Sequence, residues 1–377
     1  MNKAILYRIY PNDKQTSLFL QTFGCCRKIW NLMMDTRETE YKKTGKTVKP
    51  TPAQYKDDFP YLKKVDSLAL ANVQLNQEQA YNSYFKGDHN RPKYRSKKKD
   101  RRSYTTNCVS GSIRFSGDRK KIRLPKAGWV KIEQHRNPDP SWILKSATIS
   151  MEADGSFYCS VLFDFEDTVN PISNPEYNAI GLDYKNNGLF VSSDGEVCGS
   201  PRFMKKSQKK LARKQRKLNK KVTGSNSYKK EKKKIGKLHL HVRNQRKDFL
   251  HKKSTEIANR YDMVCVESLD LIKLSKPIRS KKKGVKLKPG RVVMDNGYGI
   301  FFNLLDYKLR ERGGVLVKID KWYASSQTCS CCGHKNPELK DPSIKEWECP
   351  ICGTYHDRDI NAAINIKREG IRQFCSD

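Results

Sequence analysis

The sequence predicts a multidomain α/β protein that also contains a helical subdomain, a small antiparallel β unit and a zinc-binding segment. Two observations carry most of this prediction: strand and helix patterns alternate in the second half of the 377-residue chain, and two Cys-x₂-Cys pairs lie near its end. Hydrophobic residues make up 36% of the chain, which is enough to build real cores and excludes a wholly disordered basic protein.

The first 165 residues carry helix patterns followed by strand patterns. An apolar segment at residues 4–10 predicts a strand, and the Pro, Asn and Asp that follow predict a turn and a helix start. Apolar spacing then predicts one helix over residues 18–33 and another over 68–85. Short strands are predicted at residues 113–115, 122–124, 129–132, 147–151 and 157–163. We expect these strands to form a small antiparallel barrel that the N-terminal strand completes.

Two buried-type strands, residues 179–183 and 263–267, flank a long basic helical region. Residues 202–253 contain 22 Lys or Arg against two acids, Glu231 and Asp248. A Thr-Gly-Ser-Asn sequence at 223–226 predicts a turn between two helices. Strands alternating with helices indicate an α/β domain.

The net charge of the chain indicates its partner class. With 76 Lys and Arg against 40 Asp and Glu, the formal charge is +36. A solvated face is the ordinary interpretation of a charge run, but few acids are available here to pair these cations, so we expect contact with nucleic-acid phosphates. Further cationic runs lie at residues 91–99 and 279–288. The candidate contact residues are Lys93, Tyr94, Arg95, Lys209, Lys210, Arg213, Arg216, Lys217 and Arg358.

No segment of the sequence indicates a membrane or secretion. The N-terminal apolar run is too short for a signal-peptide core, and no stretch approaches about twenty apolar residues. We therefore expect a soluble intracellular protein whose remaining cysteines are reduced.

Four cysteines have the spacing of a structural zinc site. Cys329 and Cys332 form one Cys-x₂-Cys pair, Cys349 and Cys352 form the other, and sixteen residues separate the pairs. Four thiolates fill a tetrahedral Zn²⁺ and leave no position for a reacting water. The alternative is a loop of unliganded thiols. The nearby residues His334 and His356 are expected to face solvent or nucleic acid.

Three carboxylates lie at strand and helix ends. Asp183 is inside one predicted strand, Glu267 ends the other, and Asp359 lies near the start of an Ala- and Ile-rich helix. A carboxylate in an apolar strand is costly unless a metal or hydrogen bonds stabilise it, and oxygen ligands suit Mg²⁺. The sequence therefore allows a shared magnesium site. Three unrelated structural acids, one of them a helix cap, remain the alternative.

Four segments resemble the TnpB family, the RuvC-type proteins of insertion-sequence transposons that are similar to type V CRISPR effectors. They are Gly-Leu-Asp at 181–183, Val-Glu-Ser-Leu at 266–269, the segment 321–333 around the first cysteine pair, and Asp-Arg-Asp-x-Asn-Ala-Ala-x-Asn-Ile at 357–366. The resemblance implies an RNA-guided DNA endonuclease. A guide RNA from the transposon end would pair with double-stranded target DNA beside a short adjacent motif, and one RuvC site would cut both strands.

The resemblance also implies roles for single residues. Asp183, Glu267 and Asp359 become the catalytic acids and the ligands of two Mg²⁺ ions, with Asp357 as a supporting neighbour, while the four cysteines hold one structural Zn²⁺. Lys185 is a departure, because many relatives have Gly at that position. Asn72, Asn76 and Gln79 fall on one helical face and are candidates to read the adjacent DNA motif; an exposed polar face is the alternative.

The implied domains complete the expectation. They are a β-barrel wedge domain at residues 1–10 and 96–168, a helical recognition domain at 11–95, a RuvC domain with RNase H-like topology at 175–325 and 355–377, and a zinc-binding domain at 326–354. We expect a cytoplasmic bacterial protein that associates with the nucleoid when bound to DNA, with a monomer favoured.

Two other functions remain open from the sequence. One is an RNA-guided DNA-binding repressor that does not cut, which loss of any of the three acids would favour. The other is a guide-free RNase H-like nuclease or a transposase accessory, for which the large cationic surface would be excessive. Copurification of a discrete RNA separates the guided functions from the others.

Overall fold

The structure is a computed structural model that describes residues 1–166, 169–185, 188–276, 278–279, 286–287, 290–341 and 343–376, with the backbone alone at 278–279, 286–287 and 291. The chain divides into two compact units. The first comprises Met1–Asp167 and Lys232–Lys237, and the second comprises Thr168–Glu231 and Leu238–Asp377.

A seven-stranded antiparallel sheet forms most of the first unit. Its strands are β1 (Asn2–Tyr10), β2 (Ser103–Asn107), β3 (Arg114–Phe115), β4 (Lys121–Leu124), β5 (Gly128–Glu133), β6 (Ile143–Met151) and β7 (Phe157–Asp164). The order is β2-β6-β7-β1-β5-β4-β3, so the N-terminal strand lies inside the sheet and pairs with β7 and β5. Strand β2, in which only Tyr104 and Thr106 are buried, is not among the strands that the sequence predicts.

Two helices cover this sheet and share its hydrophobic core. Helix α1 (Asp13–Thr44) begins at a capping box in which the side chains of Asn12 and Gln15 bond to each other's backbone N–H groups. Helix α2 (Ser67–Phe85) begins at Asp66, whose carboxylate accepts from the backbone of Leu68. Apolar residues of both helices join the buried strand residues in one cluster, as their spacing in the sequence predicts.

The second unit is built around a five-stranded mixed sheet. Its strands are β8 (Ala179–Tyr184), β9 (Gly188–Ser192), β10 (Val197–Gly199), β11 (Met263–Glu267) and β14 (Val315–Ile319). Strands β8, β11 and β14 run parallel, while β9 and β10 extend the sheet antiparallel on the side of β8. The remaining pairs are β12 (Ile278–Arg279) with β13 (Lys286–Leu287) and β15 (Glu346–Glu348) with β16 (Tyr355–Asp357).

Six helices belong wholly or largely to this unit: α3 (Phe203–Asn219), α4 (Asn226–Arg260), α5 (Leu271–Ser275), α6 (Gly290–Asn296), α7 (Tyr298–Arg310) and α8 (Arg358–Ser376). The predicted turn between the two basic helices is present, and Ser225 caps α4 there. No helix in the described part of the chain is long and apolar enough to cross a membrane.

Helices cover both faces of the five-stranded sheet. Alternate strand residues such as Leu182 and Val266 pack with residues of α4 and α7 in one core. The intervening residues, Ala179, Met263 and Cys265 among them, pack with Ile366 of α8 in a second core. Successive side chains of a strand point to opposite faces. The odd-numbered positions of β8 and β11 therefore face α8.

Candidate active site and metal centre

Asp183 and Glu267 lie at the carboxyl ends of two neighbouring parallel strands, Asp183 next to last in β8 and Glu267 last in β11. The paired register of β8 and β11 runs through Leu182 opposite Val266, so the next residue on each strand is an acid. Both acids occupy odd-numbered positions, the same parity as Ala179 and Cys265, and therefore face helix α8. The carboxyl ends of parallel strands are where open α/β sheets place their ligands.

Helix α8 brings the third acid to the same edge because it contacts the sheet at two glycines. A Cβ on Gly181 would overlap the carbonyl oxygen of Ala363 and would come within 2.8 Å of the Lys367 nitrogen. A Cβ on Gly370 would come within 2.7 Å of the Cβ of Cys265. Asp359 lies one helical turn before Ala363, and Asp183 lies two residues after Gly181. This packing directs Asp359 toward the two strand acids.

Burial and mutual repulsion dominate the electrostatics of these acids. Burial raises the pKa of the Asp183 carboxyl from 3.8 to about 8, and the charges of Glu267 and Asp359 add to the increase. Burial also raises the pKa of Glu267. The hydroxyl of Tyr298, at the start of α7, is buried and has no hydrogen-bond partner among the described residues. Its pKa lies well above the ordinary value because of burial and because of the charges of Asp183 and Glu267. Carboxylate oxygens are the ligands that Mg²⁺ takes, so a bound cation would offset the repulsion between Asp183 and Glu267.

Asp359 has cationic partners of its own. Its carboxylate oxygens lie 3.3 Å from the Nζ of Lys185 and 3.8 Å from the Nζ of Lys345. The neighbouring carboxylate of Asp357 accepts from the backbone N–H groups of Asp359 and Ile360, both at 2.9 Å, and so caps α8. Among the described residues, the carboxylate oxygens of the three acids are not all within 4.8 Å of one another. The sulfur atoms of the four cysteines are.

The four cysteines have the geometry of a tetrahedral metal site. Their sulfur atoms all lie within 4.8 Å of one another, with Cys329 to Cys352 at 3.7 Å and Cys332 to Cys349 at 3.6 Å. Tetrahedral Zn–S bonds of about 2.3 Å place sulfur atoms about 3.8 Å apart. Each pair ends in a glycine with positive φ, Gly333 at 77° and Gly353 at 68°. The donor set and its spacing fit Zn²⁺.

The expectation that His356 faces solvent or nucleic acid is wrong. Its side chain is buried, stacks near Trp347, and places Nε2 3.1 Å from the sulfur of Cys329. A ring N–H at that distance can stabilise a thiolate and fix its orientation. His334 is only partly exposed, and its carbonyl oxygen accepts from the Cys329 backbone N–H at 2.8 Å.

Two buried asparagines, which the sequence analysis did not assign, join α8 to the segment that leads into the cysteine site. Asn361 accepts from the Ser330 backbone N–H at 2.8 Å and donates to the Thr328 carbonyl at 2.8 Å. Asn365 donates to the same carbonyl and to that of Ser325. The Asn-Ala-Ala-x-Asn spacing is the signal that could have revealed this: two amides four residues apart lie on one helical face.

The predicted phosphate-contact residues of α3 are exposed. Helix α3 has no buried residue. Its five candidates all point to solvent: Lys209, Lys210, Arg213, Arg216 and Lys217. The guanidinium of Arg358, by contrast, donates to the backbone carbonyl of Asp341 at 2.6 Å. Side chains of the cationic run at 279–288 lie outside the described residues.

The candidates of the first unit divide into exposed and internally bonded side chains. Asn76, Gln79 and Lys93 are exposed. Asn72 donates to the Leu68 carbonyl at 2.9 Å, and the Tyr94 hydroxyl donates to Asp35 at 2.8 Å. The guanidinium of Arg95 stacks 3.6 Å from the ring centre of Trp30.

Three family profiles match separate parts of the chain, including the acid-bearing sheet and the four-cysteine segment. The family profiles that match are described as "Probable transposase" (OrfB of IS605) over residues 163–277, "Cas12f1-like, TNB domain" over 298–366, and "Helix-turn-helix domain" over 1–46. The chain is therefore similar to proteins of the TnpB/IS605 transposase family. Over residues 1–46 it forms strand β1 and the single long helix α1 rather than two helices.

Particular relatives extend over nearly the whole chain. A protein of Streptomyces pristinaespiralis is 29% identical across 100% of this chain and 92% of its own length, and InsQ of Escherichia coli K12 is 28% identical across 98% and 92%. Both carry the description "Putative RNA-guided DNA endonuclease". A solved complex of Cas12f1 with sgRNA and target DNA matches with a TM-score of 0.61 and 15% identity, covering 94% of this chain and 83% of that one. At that identity the likeness concerns the fold.

Proposed function

We propose that this protein is an RNA-guided DNA endonuclease that hydrolyses phosphodiester bonds with Asp183, Glu267 and Asp359. One observation carries the proposal: the two strand acids adjoin in register, and the packing of α8 at Gly181 directs the third acid to the same edge. The family relatives described as RNA-guided DNA endonucleases over nearly the full length supply the substrate class.

The three acids would hold two Mg²⁺ ions. When bound, the ions would lower the pKa of an attacking water and stabilise the departing oxygen of the DNA backbone. The protein's part is to orient the carboxylates: β8 and β11 fix two of them through the sheet, while Asp357 fixes the first turn of α8 that carries the third. The partly buried surroundings of Asp183 lower the local screening and strengthen its interaction with a cation.

The four-cysteine segment would hold a structural zinc ion. Four sulfur ligands fill the tetrahedral positions, so this metal has no chemical step to perform. The amides of Asn361 and Asn365 tie the approach to the first cysteine to the helix that carries Asp359. We therefore assign zinc the task of stabilising the loop beside the acids.

Nucleic-acid binding is assigned to the cationic surfaces. The exposed basic residues of α3 contact the phosphates of a guide RNA encoded at the transposon end, or of double-stranded target DNA. The first unit corresponds to the wedge and recognition domains, and its exposed residues Asn76 and Gln79 can contact base edges. The second unit corresponds to the RuvC and zinc-binding domains.

The test is cleavage of a plasmid library by protein coexpressed with RNA from its own locus, in Mg²⁺. We expect the native chain to cut, the cutting to require the RNA, and Asp183→Ala, Glu267→Gln and Asp359→Asn each to lower the rate at least about 100-fold. The control is Asp248→Asn, which changes an exposed acid on α4 that pairs with Lys252. We expect this variant to retain cutting. RNA-dependent DNA binding without cutting by the native chain would contradict this proposal in favour of a repressor.

A further inference from the structure

A lysine side chain reaches into the acid cluster. Lys185 follows the last residue of β8 and has the same parity as Asp183, and its Nζ lies 3.3 Å from Oδ2 of Asp359. The other carboxylate oxygen of Asp359 faces Lys345 at 3.8 Å. Lys185 and Asp359 are both partly buried, with exposed side-chain fractions of 34% and 23%, whereas the side chain of Lys345 is 65% exposed.

The cationic charge is distributed unevenly over the three acids. Asp359 is paired with two ammonium groups, while within the described ranges no ion pair involves Asp183 or Glu267. An ion that draws ligands from all three acids therefore meets two strand carboxylates without an ammonium partner in the described part of the chain, and one on α8 that has two. Such an ion must displace an ammonium group and also approach its positive charge.

We propose that Lys185 competes with a divalent cation for Asp359 and thereby sets the ion concentration at which the site fills. The inference rests on the proposed function, because it takes the three acids as ligands. Removing the ammonium group leaves Asp359 free to coordinate, so the affinity for the cation rises. Since the pair is only partly buried, we expect an increase of about three- to tenfold.

Lys345 makes a contrasting partner on the same carboxylate. Its longer distance and greater exposure predict a weaker ion pair, because water screens exposed charges. The effect of Lys345→Ala on cation affinity is therefore expected to be smaller than that of Lys185→Ala. This order distinguishes a specific competitor from a general reduction in positive charge.

The experiment measures Mn²⁺ binding to the full-length, zinc-loaded protein without RNA or DNA, from the electron paramagnetic resonance signal of free Mn²⁺. Mn²⁺ prefers the oxygen ligands of the acids to the four thiolates. The variants are Lys185→Ala, Lys185→Arg and Lys345→Ala, with Lys205→Ala as a matched loss of one exposed charge on α3. We expect tighter binding in Lys185→Ala, near-native binding in Lys185→Arg, and no change in Lys205→Ala.

The outcomes separate this inference from the proposed function. Asp183→Asn should abolish Mn²⁺ binding if the acids are the ligands. Native binding that Asp183→Asn abolishes but Lys185→Ala leaves unchanged overturns the competition and leaves the nuclease proposal intact. Binding that no variant alters, or no binding in the native chain and in Lys185→Ala alike, overturns both. Equal tightening in Lys185→Ala and Lys205→Ala also overturns the competition, since it reflects net charge alone.

Discussion

The carbonyl oxygen of Ala363 lies where a Cβ on Gly181 would project, so helix α8 and strand β8 meet backbone to backbone. Only glycine lets two main chains approach this closely. The contact lies one turn from Asp359 and two residues from Asp183. It therefore fixes the separation of two proposed catalytic acids through a position that carries no functional group.

Gly181→Ala should separate the helix from the sheet. The added methyl group would meet backbone atoms of α8, which cannot move aside as a flexible side chain could. We expect a loss of unfolding free energy of about 2 kcal/mol or more and a fall in cleavage larger than the loss of folded protein explains. Urea denaturation and single-turnover cleavage measure the two effects. Gly199→Ala, in the same sheet with open space around its Cα, should leave both unchanged.

Asn365→Ala should loosen the segment that leads into the cysteine site. The variant removes the Asn365 donor from the buried Ser325 carbonyl and leaves the Thr328 carbonyl with Asn361 as its amide donor, at an expected cost of about 1–3 kcal/mol. Amide hydrogen exchange should increase over residues 325–330. The control is Asn303→Ala, which removes an exposed amide from α7 and should leave the exchange of residues 325–330 unchanged. Unchanged exchange in Asn365→Ala would show that the amide contributes nothing to holding this segment.

Cys332→Ser should release zinc, whereas the adjacent Cys331→Ser should retain it. Cys332 belongs to the four-sulfur cluster, while Cys331 lies outside it and is exposed. Zinc content per chain after dialysis should fall from about one to near zero in the first variant. Equal retention in both variants would refute the four-cysteine assignment.

Asp183→Asn should abolish cutting but stabilise the protein in Mg²⁺-free buffer. The pKa of this carboxyl is about 8 in the folded chain against 3.8 ordinarily, so between these values the folded state binds more protons than the unfolded state. The free energy of unfolding therefore falls as pH rises through this window. The asparagine side chain cannot ionise, so the variant does not lose this stability. Thermal melts should show a gain of about 1 kcal/mol or more near pH 8 that shrinks toward pH 5. A gain independent of pH would contradict the assignment to ionisation.

Charge reversal on α3 should weaken RNA binding in a salt-dependent way. Replacing Lys209, Arg213 and Arg216 with Glu removes three exposed cations from one helix. A plot of log affinity against log salt concentration has a negative slope, and we expect that slope to become less steep by about 0.7 for each lost phosphate contact. Lys63→Glu in the first unit, where the native lysine pairs with Asp57 at 2.9 Å, tests for a general charge effect. An equal change in both proteins would remove α3 from the proposed interface.

The sequence predicts best the features that repeat. Apolar spacing predicts the helices α1 and α2, and the paired Cys-x₂-Cys pattern predicts the sulfur cluster. Strand β2 escaped prediction because its Ser-Tyr-Thr-Thr-Asn sequence is polar, and its two buried residues are Tyr104 and Thr106. Periodicity cannot identify a strand whose buried positions carry hydroxyl groups.

Single contacts between distant residues were beyond prediction. Nothing in the sequence distinguishes a solvent-facing His356 from one that bonds to Cys329, because one histidine has no period. The same holds for Lys185, whose partner lies 174 positions later in the chain (359 − 185). The three acids could be singled out by strand and helix context, but their approach depends on Gly181 and Gly370, which act through the absence of a side chain.

The short path from Cys352 to Asp359 constrains how such a chain can change in length. Strand β16 leads directly into α8, and Asp357 both ends the strand and caps the helix. Helix α8 is held against the sheet at Gly181 and Gly370, so an inserted residue here would displace the Asp357 cap and the cysteine segment relative to the helix. Between the two cysteine pairs, the carbonyls of Asp341 and Lys345 accept from Arg358, the first residue of α8, and β15 pairs with β16. We therefore expect the seven-residue step from Cys352 to Asp359 to keep its length among related chains, and insertions and deletions between Cys332 and Cys349 to avoid the segment from Ile344 to Glu348.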